Sequence, residues 1–136
     1  MPESKCHVRL VNHLIAWIAK EYLGGNAAGV LWDSASAQRG TVPPPICGYR
    51  PDAYVIAPRD GQLVLGEAKS PWDLENRHTI AQFLAFLTHC RTHGNAVLAL
   101  AVPWHCVPLT SNMVQHLKQK HGLEAVEVAI IRDLPG

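Results

Sequence analysis

Seven consecutive apolar residues, Ala96-Val97-Leu98-Ala99-Leu100-Ala101-Val102, constrain the fold more than any other feature of the chain. The run is too short for a membrane span and is stopped by Pro103. It predicts a strand over 96–102 that is buried on both faces, so the sheet holding it must be covered on both sides.

The rest of the chain supplies the cover. From Lys5 to Leu23 the apolar residues Val8, Val11, Leu14, Ile15, Ile18 and Tyr22 recur at helical spacing, and Gly24-Gly25 supplies a stop. A strand is expected over Gly29 to Ala35, followed by a loop containing Pro43 to Pro45. A second strand runs from near Tyr49 to Ile56. The Pro58 to Gly61 turn joins it to a third over Gln62 to Lys69, forming an antiparallel hairpin. A helix is expected from Ser70-Pro71-Trp72-Asp73 to about His93, with Ser70 as cap and Pro71 in the first turn. Ser111 to His121 predicts a further helix and Ala125 to Ile131 a last strand. The order gives an α/β fold with a mixed central sheet flanked by helices. Its strand at Ala96 returns through a helical crossover. With 136 residues and 48% apolar content, one domain with its own core is the expectation.

The formal net charge is only +1, which excludes a histone-like or basic-armed protein. Cys6, Cys47, Cys90 and Cys106 form no C-x-x-C pair, and the Cys-His neighbours match no zinc module. With no secretory h-region at the start and no apolar run long enough to span a bilayer, the expectation is a soluble cytoplasmic protein with mostly buried free thiols.

The chemistry concentrates on the hairpin. Pro51-Asp52 lies near the start of one strand and Glu67-Ala68-Lys69 at the end of its partner. Alternation puts Glu67 and Lys69 on the same face. Antiparallel pairing then brings Asp52 to the same sheet edge. Two such carboxylates repel unless a proton or a cation lies between them. Mg²⁺ (or Mn²⁺) suits the pair, because it takes one or two carboxylates and completes its shell with water and phosphate oxygens. The Ala68 carbonyl is available as a further ligand. An acid emerging from an apolar central strand needs a partner, which argues against a merely solvated strand end.

The pattern P-D, fourteen residues, then E-x-K on adjacent strands resembles the PD-(D/E)XK superfamily of restriction-endonuclease-like nucleases. The resemblance covers roughly Tyr49 to Gln82 as sequence and most of the chain as element order. It implies a restriction-endonuclease-like α-β-β-β-α-β core with an additional C-terminal helix and strand. It also implies Asp52 and Glu67 as metal ligands, Lys69 as the catalytic lysine and Gln82 as the polar residue on the following helix. The activity implied is metal-dependent hydrolysis of phosphodiester bonds in DNA. RNA is a second possible substrate. A homodimer, or a partner protein, would choose the target. The alternative is a non-catalytic DNA-binding or assembly module with the same fold. A small-molecule phosphohydrolase ranks last, because no Gly-rich phosphate loop is present.

Around this centre, Arg39 and Arg50 on the long loop, and Arg77 and His78 on the helix, are candidate nucleic-acid contacts. Glu75, His78 and Gln82 share one helical stripe. The first helix offers no well-placed acid. Glu3 precedes it and Glu21 ends it, so His7, Asn12 and His13 all remain candidates for the fourth position. Trp72 and Trp104 are expected in core or sheet-edge packing.

Overall fold

The computed structural model describes residues 5–32 and 42–133. It runs in the order α1 (Lys5–Tyr22), β1 (Leu31–Trp32), β2 (Ala53–Ile56), β3 (Leu63–Ala68), α2 (Arg77–His93), β4 (Ala96–Pro103), α3 (Val107–His121) and β5 (Glu127–Asp133). The strands form one mixed sheet in the order β1-β2-β3-β4-β5. β2 is antiparallel to both β1 and β3, whereas β3, β4 and β5 are parallel. Parallel neighbours need long crossovers, and α2 and α3 supply them.

Side-chain alternation divides the core into two layers. On one face Leu10, Leu14 and Ile18 of α1 cover Ala53, Val64, Ala68, Val97, Ala99 and Ala101. On the other, Phe83, Phe86 and Leu87 of α2, with Val114 and Leu117 of α3, cover Leu63, Leu65, Leu98, Leu100 and Val102. Every residue from Ala96 to Val102 is buried, which is why that run could carry no polar side chain. Gly66 allows α1 to sit close to the sheet. A Cβ there would come 2.8 Å from Leu14 Cδ2 and 3.1 Å from the Ala53 Cβ.

Several boundaries depart from expectation, each for a local reason. The second strand begins at Ala53 rather than near Tyr49. Ile46 and Tyr49 instead exchange backbone hydrogen bonds across a tight turn, with Cys47 (φ 51°) and Gly48 (φ 82°) both left-handed. The long helix expected from Ser70 is two pieces, a 3₁₀ turn at Pro71–Asp73 and then α2 from Arg77. Ser70 does not cap. Its hydroxyl donates to Asp73 Oδ2 at 2.7 Å, while Asn76 Oδ1 accepts the Thr79 N–H at 2.8 Å and sets the true start. Glu75 therefore lies before the helix.

At the N-terminal side, Ala27–Gly29 is a 3₁₀ turn capped by Asn26, so the first strand starts at Leu31. Its expected continuation beyond Trp32 lies outside the described residues. α3 starts four residues early, at Val107, because Pro108 is tolerated in a first turn. β4 reaches Pro103 and β5 covers Glu127–Asp133 rather than 125–131. Cys90 and Cys106 are buried, but Cys6 is half-buried and Cys47 exposed, so the thiols are not mostly buried. Among the described residues, no helix is long and apolar enough to cross a membrane.

Candidate active site

The last rung of the β2–β3 ladder joins Ala53 to Gly66. One step further out sets Asp52 opposite Glu67 at the end of the ladder. The two acids then bind each other's strand. The Asp52 N–H donates to Glu67 Oε1 at 3.1 Å, and the Ala68 N–H donates to Asp52 Oδ2 at 2.8 Å. Both side chains are thereby held at the carboxyl end of the central strand. N–H and C=O of one residue in an extended strand point the same way, so the Ala68 carbonyl also faces Asp52.

Lys69 completes the cluster. Its own N–H donates to the Ala101 carbonyl at 3.0 Å, which keeps the chain extended past β3. Its Nζ lies 3.6 Å from Glu67 Oε2 and donates to Gln82 Oε1 at 2.5 Å. Gln82 is 8% exposed on the second turn of α2, so helix and strand together fix the ammonium. The structure thus brings Asp52, Glu67, Lys69 and Gln82 together, as expected.

α1 contributes His7, one of the three side chains left open by the sequence. His7 Nε2 lies 3.6 Å from Asp52 Oδ1, whereas Asn12 and His13 are exposed. Only the angular position of each residue around α1 relative to the sheet could have selected His7, and periodicity alone does not carry that information.

The electrostatics of the pair are asymmetric. Burial would raise Asp52, but hydrogen bonds from His7, Glu67 and the Ala68 N–H outweigh it and hold the carboxyl below its usual range. Glu67 goes the other way. Burial, then the negative charge of Asp52, pushes it well above its ordinary value, against a smaller opposing pull from Lys69. Of the two, Asp52 releases its proton more readily and Glu67 holds its proton to higher pH.

Such a pair fits a hard divalent ion. Its donors are carboxylate oxygens with a carbonyl beside them, and two buried carboxylates side by side favour whatever positive charge can bridge them. Among the described residues, no group of three or more His, Cys, Asp or Glu side chains is arranged to hold a metal ion. Mg²⁺ does not require one, since it keeps waters and takes phosphate oxygens as ligands.

The outer candidates are less engaged. Arg50 and Arg77 are exposed around the cluster, and His78 is exposed with its ring edge-on to Tyr49 at 5.5 Å and 71°. Arg39 lies outside the described residues. Trp72 and Trp104 overturn the packing expectation, being 78% and 51% exposed. Both follow strand ends where a short 3₁₀ turn faces outward, and nothing in local sequence distinguishes that from burial. A cavity of 670 Å³ lies at the opposite end of the hairpin, lined by Lys20, Tyr22, Pro58 and Arg59, away from the carboxylates. Compared with protein-family models, curated proteins and solved structures, the chain matches none.

Proposed function

We propose that the chain is a metal-dependent nuclease hydrolysing phosphodiester bonds in DNA. The observation carrying this reading is the buried Asp52–Glu67 pair beside a Lys69 ammonium that Gln82 anchors. The order of helix, three-stranded meander, helix and strand is what a restriction-endonuclease-like core would have, and it supports the same reading.

Asp52 and Glu67, with the Ala68 carbonyl, would hold Mg²⁺ or Mn²⁺. The ion would supply Lewis acidity at the phosphorus and a more acidic bound water. The protein's part follows from its own geometry. Glu67 would hold the ion as a carboxylate, its proton released to solvent. Asp52 Oδ2 stays tied to the Ala68 N–H, so the carboxyl keeps its orientation while Oδ1 faces His7. Lys69, held from behind by Gln82, donates toward the attacked phosphate and offsets its developing negative charge. His7 is a positioning residue acting through Asp52. Exposed Arg50, Arg77 and His78 would meet the phosphates on either side. The site sits on a small chain with little net charge, so target choice would come from a second copy or a partner protein.

Cleavage of plasmid DNA, single-stranded DNA and RNA with Mg²⁺ or Mn²⁺, for wild type and Lys69→Ala, tests the proposal. Metal-dependent cutting should fall by about a hundredfold or more in the variant. Absence of metal-dependent cutting would favour a non-catalytic binding module. Undiminished cutting by Lys69→Ala would remove the assigned mechanism.

A further inference from the structure

β3 and β4 run parallel, and Ala68 is in register with Ala101, so the two strands leave the sheet side by side. Each then enters a short 3₁₀ turn. Trp72 lies in the turn after β3 and Trp104 in the turn after β4. Both indoles therefore stand at the sheet edge that carries Glu67 and Lys69. Both are exposed, Trp72 at 78% and Trp104 at 51%. Trp104 is steadied by the edge of the His105 ring, with centroids 5.6 Å apart at 75°.

One indole exposed by itself would need no explanation, but two at the carboxyl ends of neighbouring strands, on the edge that carries Glu67 and Lys69, are placed to meet one ligand. The surroundings narrow the choice. Trp72 is followed by exposed Asp73, Glu75, Asn76 and Arg77, and Trp104 by exposed His105. The aromatic faces thus emerge singly among polar side chains, unlike the contiguous apolar centre of a stable protein interface. Asp73 and Glu75 would repel a phosphate backbone laid directly beside Trp72, but a neutral base stacked on its ring meets no such repulsion. The net charge of +1 also leaves little phosphate attraction, so stacking has to supply much of the grip.

We infer that Trp72 and Trp104 are stacking platforms for unpaired bases of a single-stranded nucleic acid crossing the carboxyl edge of β3 and β4. The inference deepens the nuclease reading and rests on it for the identity of the strand. It makes the substrate single-stranded, gapped or frayed. Paired bases keep their faces covered by their neighbours and cannot reach the indoles, whereas base–aromatic stacking tolerates any sequence.

The test is a tryptophan-fluorescence titration in EDTA, so that no hydrolysis occurs. The probes are a mixed-sequence single strand, the blunt duplex of that sequence, and an abasic strand of equal length. The single strand should quench emission and bind about tenfold more tightly than either other probe, with Trp72→Ala and Trp104→Ala each weakening it about tenfold. Trp72→Phe should restore most of the affinity, separating stacking from a folding defect. Equal binding of abasic and base-bearing strands would overturn the inference, as would unchanged binding by both alanine variants. So would a change in oligomeric mass on Trp72→Ala with oligonucleotide affinity intact, which would make the surface a protein interface. Because binding is read without catalysis, an inert protein that still binds through its tryptophans would refute the nuclease reading and leave this one standing.

Discussion

Glu67→Gln isolates the effect of one buried proton. Below its raised titration point Glu67 is protonated, and there a glutamine amide reproduces its shape, its neutrality and its acceptor for the Asp52 N–H. The wild-type carboxyl holds its proton well above its ordinary 4.5, so above that pH the folded chain binds more protons than the unfolded one. Stability is then full below 4.5. It declines as pH rises, by about 1.4 kcal/mol per pH unit, until the folded-state value is passed. Asp52 has the opposite sign. Its lowered value contributes stability above 3.8 that is lost only as pH falls further, below the range of interest.

The amide introduced by Glu67→Gln does not titrate, so the decline should vanish. Taking about 2.1 cal/mol/K of unfolding entropy per residue over 136 residues, 1.4 kcal/mol corresponds to roughly 5 °C in Tm. Thermal and urea unfolding in EDTA as pH rises from 4.5 should show the variant gaining on wild type by that amount per pH unit, then levelling once the raised folded-state value is passed. Metal-dependent cleavage should be lost in the same variant. Parallel pH profiles for the two proteins would refute the protonated Glu67. So would a variant less stable than wild type throughout, since that is the behaviour of a charged carboxylate deprived of its ion pair.

Other consequences follow from single contacts. Gly66→Ala should cost about 1–3 kcal/mol in urea unfolding, since the new Cβ lies 2.8 Å from Leu14 Cδ2. Its combination with Leu14→Ala should cost less than the sum, and strict additivity would argue against the clash. Asn76→Ala removes the cap of α2 and should cost about 1 kcal/mol, with Asn76→Asp keeping most of the stability. Gln82→Ala frees the Lys69 ammonium and should lower the cleavage rate about tenfold while leaving binding of uncleaved strand unchanged; an unaltered rate would make Gln82 a packing residue. Cys90, pushed up to about 12 by burial, should resist a thiol reagent that labels exposed Cys47 at once, and should react only on unfolding.

What could be read from the sequence follows the physics of each signal. The run from Ala96 to Val102 announced a doubly covered strand because burial on both faces leaves no alternative composition. Asp52, Glu67 and Lys69 could be placed together because hairpin pairing and strand alternation are rigid rules of period two. The sequence places the start of α2 at Ser70, a competent cap, yet Asn76 takes that role. The outcome depended on Ser70 donating to Asp73 instead. His7 and the exposure of the two tryptophans depended on how α1 rotates against the sheet and where two short turns point. Those are consequences of packing, formed over distances that local spacing does not encode.

The low net charge becomes intelligible at the level of the site. Counting Asp52, Glu67 and Lys69 alone, the proton on Glu67 leaves one negative and one positive group, and the centre is neutral. Replacing that proton by a divalent ion would leave it with one net positive charge to meet the phosphodiester of the proposed substrate. If the chain acts as proposed, attraction for phosphate at the reacting bond would be a property of the metal-loaded state rather than of the chain, which carries only +1 overall. A surface rich in lysine and arginine would hold nucleic acid whether or not the centre was competent. On the proposed function, strand contact away from the centre would fall to the exposed indoles and a few arginines, and phosphate contact at the centre would wait for the ion. Occupancy of the Asp52–Glu67 pair would thus govern binding at the reacting bond and catalysis together.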